Sequence, residues 1–161
     1  MEASKALLST AQFAAHQAQI YADAPEKSGA WLTVSAVLMA QQATALALKV
    51  ADDTIPSQSG ATELLLRAAN KDRLPPPYTL PFGLAARQAF DRLVDARNAF
   101  MHPRGVAWFI SDETLARGLP VATSSVRHLL LTQPIEPATC HNPTALKEAL
   151  ANIDGLAEFL S

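Results

Sequence analysis

An all-α chain, folded as an up-and-down bundle of four to five helices, is what the sequence predicts, and three observations predict it. The apolar pattern is helical almost throughout. It is clearest where Leu146, Leu150, Ile153, Leu156, Ala157 and Leu160 recur at intervals of three and four. The breaks between helices are short and rich in proline, serine and glycine. Only one stretch, after the third long helix, reads as extended. The 161 residues suffice for one domain with a real core and are too few for two ordinary ones. With no internal repeat and no linker, residues 1–161 are read as a single domain.

The first helix covers about 3–22 and ends before Pro25. The second covers about 29–52. From Ser28 to Leu48 it carries no charge and is long enough to cross a membrane. Gln41 and Gln42, the hydroxyls of Thr33, Ser35 and Thr44, and many alanines instead favour the buried central helix of a bundle, with no membrane partner. A short helix over about 61–70 follows the break at Ser57–Gly60. The segment 70–83 carries four prolines, three of them consecutive, and excludes a helix. The third long helix, about 83–102, is stopped by Pro103. Residues 105–111, GVAWFIS, predict a small strand or an extended cover. A helix over about 119–132 is expected next, with Pro120 in its first turn. The last, about 143–160, has Asn142 to cap it and Pro143 at its first position.

Composition excludes several classes. At 49% hydrophobic and 17% charged, the chain is globular rather than disordered. A formal net charge of -2 advertises neither nucleic acid nor membrane, so an anionic partner has to be held by a local patch. The single cysteine, Cys140, forbids an internal disulfide, argues against a cysteine-based zinc site, and fits a reducing cytoplasm. The N-terminus has Glu2 early and does not read as a signal peptide. His16, His128 and His141 lack metal-ligand spacing, and the six glycines form no phosphate loop. No cofactor and no metal are expected.

One stretch, Arg97 to Gly105 (RNAFMHPRG), carries the functional reading. At about 100° per residue, Phe90, Leu93, Val94, Phe100 and Met101 share an arc of roughly 120° on the third long helix, with Arg97 inside it. Asp91, Asp95, Asn98 and His102 form an adjoining polar strip. An unpaired guanidinium on an apolar face is costly, so something must meet it. One reading pairs Arg97 with a core acid, Asp52, Asp53 or Glu63, or lets it snorkel. His102 alone can be a cation at a helix C-terminus, and Asp91 and Asp95 can pair with Arg87 and Arg92 at the surface.

The combination Arg97-Asn98-Ala99-Phe100-Met101-His102, ending a bundle helix and followed by Pro103 and a Trp-bearing segment, resembles the Arg-x4-His motif of the HEPN superfamily of nucleotide-binding helical bundles. The resemblance spans about 30–132 in element order and is sharp over about 93–110. It implies a metal-independent endoribonuclease, a homodimer with its two motifs facing across a cleft, acting as a toxin or defence component with an antitoxin protein as a further partner. In such chemistry the ribose 2′-OH attacks phosphorus. His102 would serve as acid or base, and Arg97 would hold the phosphate charge. Asn98 would fix the imidazole or meet the ribose. Arg104, with Arg92 or Arg87, would bind flanking phosphates. Trp108 would stack a base, unless it is a core aromatic. In HEPN toxins controlled by nucleotidyl transfer, a Tyr stands two residues after the motif His. Arg104 stands there in this chain, so the resemblance does not extend to that control. The competing readings are a non-catalytic HEPN-like bundle that binds a nucleotide, RNA or protein, and an unrelated bundle with Arg97 in a core ion pair.

Overall fold

The structure, a computed structural model, describes residues 2–102 and 109–161. Six α-helices form: α1 (Glu2–Asp23), α2 (Pro25–Val50), α3 (Ala61–Ala68), α4 (Leu84–Met101), α5 (Asp112–Arg127) and α6 (Pro143–Leu160). A π-turn, His128–Thr132, continues α5, and a 3-10 turn, Pro137–Thr139, precedes α6. The described residues contain no strand. The all-α bundle is therefore as expected. The helix count exceeds four to five because short α3 is a helix in its own right.

Helix α2 is the axis of the bundle and touches α1, α3, α4 and α5; α6 closes the far side against α1 and α5. Helix α2 is long and apolar enough to cross a membrane, but 61% of its most apolar window is buried inside the bundle. Three of its buried hydroxyls find their acceptors within the helix. Thr33 donates to the Gly29 carbonyl at 2.7 Å, Ser35 to Trp31 at 2.7 Å and Thr44 to Ala40 at 3.0 Å. This lets the Ala-rich, charge-free stretch 28–48 bury Thr33, Ser35 and Thr44 without partners from other helices, while Ser28 Oγ and Gln42 Oε1 are buried with no partner among the described residues.

Helix α2 starts four residues earlier than the sequence reading placed it. Only Ala24 separates it from α1, and Pro25 stands in its first turn, where a missing N–H costs nothing. Its C-terminus closes with a Schellman pair. The Asp53 N–H donates to the Leu48 carbonyl at 3.0 Å, and the Asp52 N–H to Lys49 at 3.1 Å. Asp52 takes the left-handed position, with φ 60°. The turn delivers Asp53 inward, its side chain only 6% exposed, onto Arg67 (2.8 Å) and Arg73 (3.3 Å).

The proline-rich segment between α3 and α4 is irregular, as expected. It plugs the bundle with buried Leu74 and Leu80. The Leu80 N–H donates to the Ala68 carbonyl (2.8 Å), and His128 Nε2 lies 3.1 Å from the Tyr78 carbonyl oxygen.

Helix α5 corrects the sequence reading most. It begins at Asp112 rather than near 119, and Pro120 lies inside it. Ser111 caps it, accepting from the Thr114 N–H at 3.1 Å, and Asp112 and Glu113 favour its positive end. Tyr21 Oη donates to Asp112 Oδ1 at 2.7 Å and ties that end to α1. An interior proline costs about 3 kcal/mol. Burial of Leu115, Leu119, Ala122 and Val126 along one face offsets it, since each fully buried aliphatic side chain contributes about 1.5–3 kcal/mol. Gly118 lets α5 approach α4 closely: a Cβ there would meet Leu93 Cβ at 3.1 Å and the Ala89 carbonyl oxygen at 3.3 Å. Of the expected extended segment, 105–111, only Phe109 to Ser111 are described, and they are irregular; Arg104 and Trp108 lie outside the described residues.

Candidate functional site

Helix α4 carries the Arg-x4-His stretch at its C-terminal end. Phe90 and Leu93 are fully buried, while Val94, Arg97 and Phe100 are half-buried. Met101 is 54% exposed, and Asn98 and His102 are exposed. The apolar arc read from the sequence is thus one face, but its burial fades along the helix rather than around it. Arg97 sits on the inward side, at the level where the bundle's cover gives out. The cost of its charge is correspondingly smaller than in a closed core.

The motif is joined to itself. Arg97 Nε donates to Asn98 Oδ1 at 2.9 Å, and the His102 backbone N–H donates to the Asn98 carbonyl at 3.0 Å. His102 is the C-cap, with φ -127° and ψ 64°, so the chain leaves helical geometry at that residue. Among the described residues Arg97 pairs with no carboxylate. Asp53 is taken by Arg67 and Arg73, and Asp52 and Glu63 are exposed. Asp91 accepts from Thr62 Oγ1 at 3.1 Å and approaches Arg87 at 3.8 Å. The surface pair expected for Asp91 therefore forms. Arg92 makes no ion pair among the described residues.

Two residues went unnoticed in the sequence, one near this end and one in the groove between α4 and α5. Trp31, on the outward face of α2, is 49% exposed and stands edge-on to Phe100, with ring centroids 5.2 Å apart. Its signal is the seven-residue spacing to Leu38, also exposed, which places both on one side of a helix otherwise read as buried. Arg117 lies between the expected extended segment and the helix expected from about 119, where the sequence reading assigned no element. The early start of α5 places it opposite Arg92 across a groove of about 340 Å³ between α4 and α5.

Of the predicted site residues, Arg97, Asn98 and His102 are together at one helix end, and Arg92 lies apart in the α4–α5 groove. No group of three or more histidines, cysteines or acids able to hold a metal occurs among the described residues. Burial raises the pKa of the Cys140 thiol above its ordinary value, the opposite of what an activated nucleophile needs. No protein-family model, no curated protein and no solved structure matches the chain.

Proposed function

We propose that the protein is a metal-independent endoribonuclease of HEPN type, working as a homodimer in which two Arg-x4-His motifs share a cleft. One observation carries the reading. Arg97 occupies the inward face of α4 at the open end of the bundle, held by Asn98 and bound to no carboxylate among the described residues. A half-buried guanidinium in that setting is a ready partner for a phosphate, which its planar fork fits in two places.

Helix geometry adds a constraint. Five residues at 100° each leave Arg97 and His102 about 140° apart around α4. A straight helix does not aim both at one phosphorus atom. The non-helical backbone at His102, together with a second motif across a two-fold seam, supplies the remaining reach. His102 then takes the 2′-OH proton or protonates the leaving 5′-oxygen, and Arg97 meets the charge on the phosphorane. Trp31, Phe100 and Met101 offer the seam an apolar rim.

The test is product chemistry. Labelled RNA incubated with the protein in EDTA should yield fragments ending in 2′,3′-cyclic phosphate, and the same sequence with 2′-O-methyl groups should stay intact. Cleavage of the methylated strand, or a strict need for a divalent cation, would rule the mechanism out. The same face without catalysis is a docking surface, the reading that Trp31's exposure also favours. Binding of RNA with no cutting of any strand would favour it.

A further inference from the structure

The groove between α4 and α5 lies outside the Arg-x4-His motif. Arg92 reaches it from α4 and Arg117 from α5. Small side chains, Ala85, Ala86 and Ala89, line its α4 wall, and none of its described lining residues is acidic. Two guanidiniums facing one trough repel each other. The only compensation among the described residues is Glu113, 3.1 Å from Arg117, with both side chains about two-thirds exposed. Such an exposed pair is worth little and exchanges readily for another anion. The first turn of α4, at the end of the groove, has no acid and no side-chain cap, which adds to the positive potential. Gly118 sets the trough's depth by letting the two helices close up.

Resting on the ribonuclease reading, we infer that this groove is the phosphate track of the single-stranded RNA, with Arg117 joining Arg92 as its phosphate contacts. Arg92 precedes His102 by ten residues, about 15 Å along α4. A ligand that touches both must extend well beyond one nucleotide. Asp91 and Asp95 lie on the other side of Arg92 from the groove lining. At the level of Arg92 their charge keeps a polyanion on the α5 side, and the strand crosses α4 only beyond Asp95 to reach His102, which continues the same polar strip. Gln88, beside Arg92, offers an amide to sugar or base edges. The alanine wall leaves room for a backbone to lie close.

The test uses a fluorescent ten-residue 2′-O-methyl oligonucleotide, which cannot be cut, and anisotropy over a salt series in EDTA. The double variant Arg92→Gln/Arg117→Gln alters exposed side chains, and circular dichroism checks its fold. Its Kd should rise about tenfold or more, and the slope of log K against log salt should fall by about 1.4, or 0.7 per lost phosphate contact. A double variant with unchanged Kd and slope overturns the track and leaves the ribonuclease reading standing. Wild-type protein that binds no oligonucleotide removes that reading and the track together.

Discussion

At the scale of the residue, a side chain's meaning depends on which neighbours are already committed. Asp53 has the burial to neutralise a core arginine, but it spends its two oxygens on Arg67 and Arg73. Arg97 is left with Asn98. That allocation was not legible in the sequence, where Asp52, Asp53 and Glu63 were equal candidates. What was legible was the angle, because 100° per residue holds for any α-helix. The exposure of Trp31 was not, since the charge-free stretch from Ser28 to Leu48 hides which of its faces the bundle leaves open. Tyr21 gives a pH prediction. Burial first, and then its hydrogen bond to the Asp112 carboxylate, raise its pKa well above the ordinary phenol value. A group with a raised native pKa stabilises the fold fully below its unfolded pKa, about 10, and loses that contribution as pH climbs toward the native value. Urea midpoints measured from pH 8 to 12 should therefore fall more steeply above pH 10 in the wild type than in Tyr21→Phe. Parallel curves would show that the phenol does not anchor α5.

At the scale of the element, helix ends decide where chemistry is placed. The sequence reading located α1, α3, α4 and α6 to within about two residues, because caps and prolines mark their limits. It misplaced the start of α5, because Pro120 read as a first-turn residue, and the cap Ser111 with Asp112 and Glu113 was overlooked. Packing of Leu115, Leu119, Ala122 and Val126 outweighs the proline, and that tertiary term is invisible to local propensity. Arg117 was missed for the same reason. The Schellman turn after α2 offers an element-scale test. Asp52 holds a left-handed conformation that glycine adopts without Cβ strain. Asp52→Gly should therefore stabilise the protein by up to about 1 kcal/mol, seen as a rise in Tm with circular dichroism unchanged. A drop would mean that the Asp52 side chain contributes more than its backbone strain costs.

At the scale of the molecule, a bundle wrapped around α2 leaves one end of α4 incompletely covered, with Trp31, Phe100 and Met101 beside Arg97. Burying such a patch is the usual driving force for a two-fold dimer. Light scattering at micromolar concentration should give twice the 17.2 kDa chain mass, and Trp31→Ala/Met101→Asp should give the single-chain mass. A wild-type monomer would leave each motif without its counterpart. The central claim is that Arg97 and His102 cut RNA without metal, and the rate of cleavage in EDTA tests it most directly. With folding verified by circular dichroism, Arg97→Ala and His102→Ala should each slow the wild-type rate by about 10²–10⁴. Wild-type protein that cleaves no RNA, or variants that cleave as fast as the parent, would contradict the account.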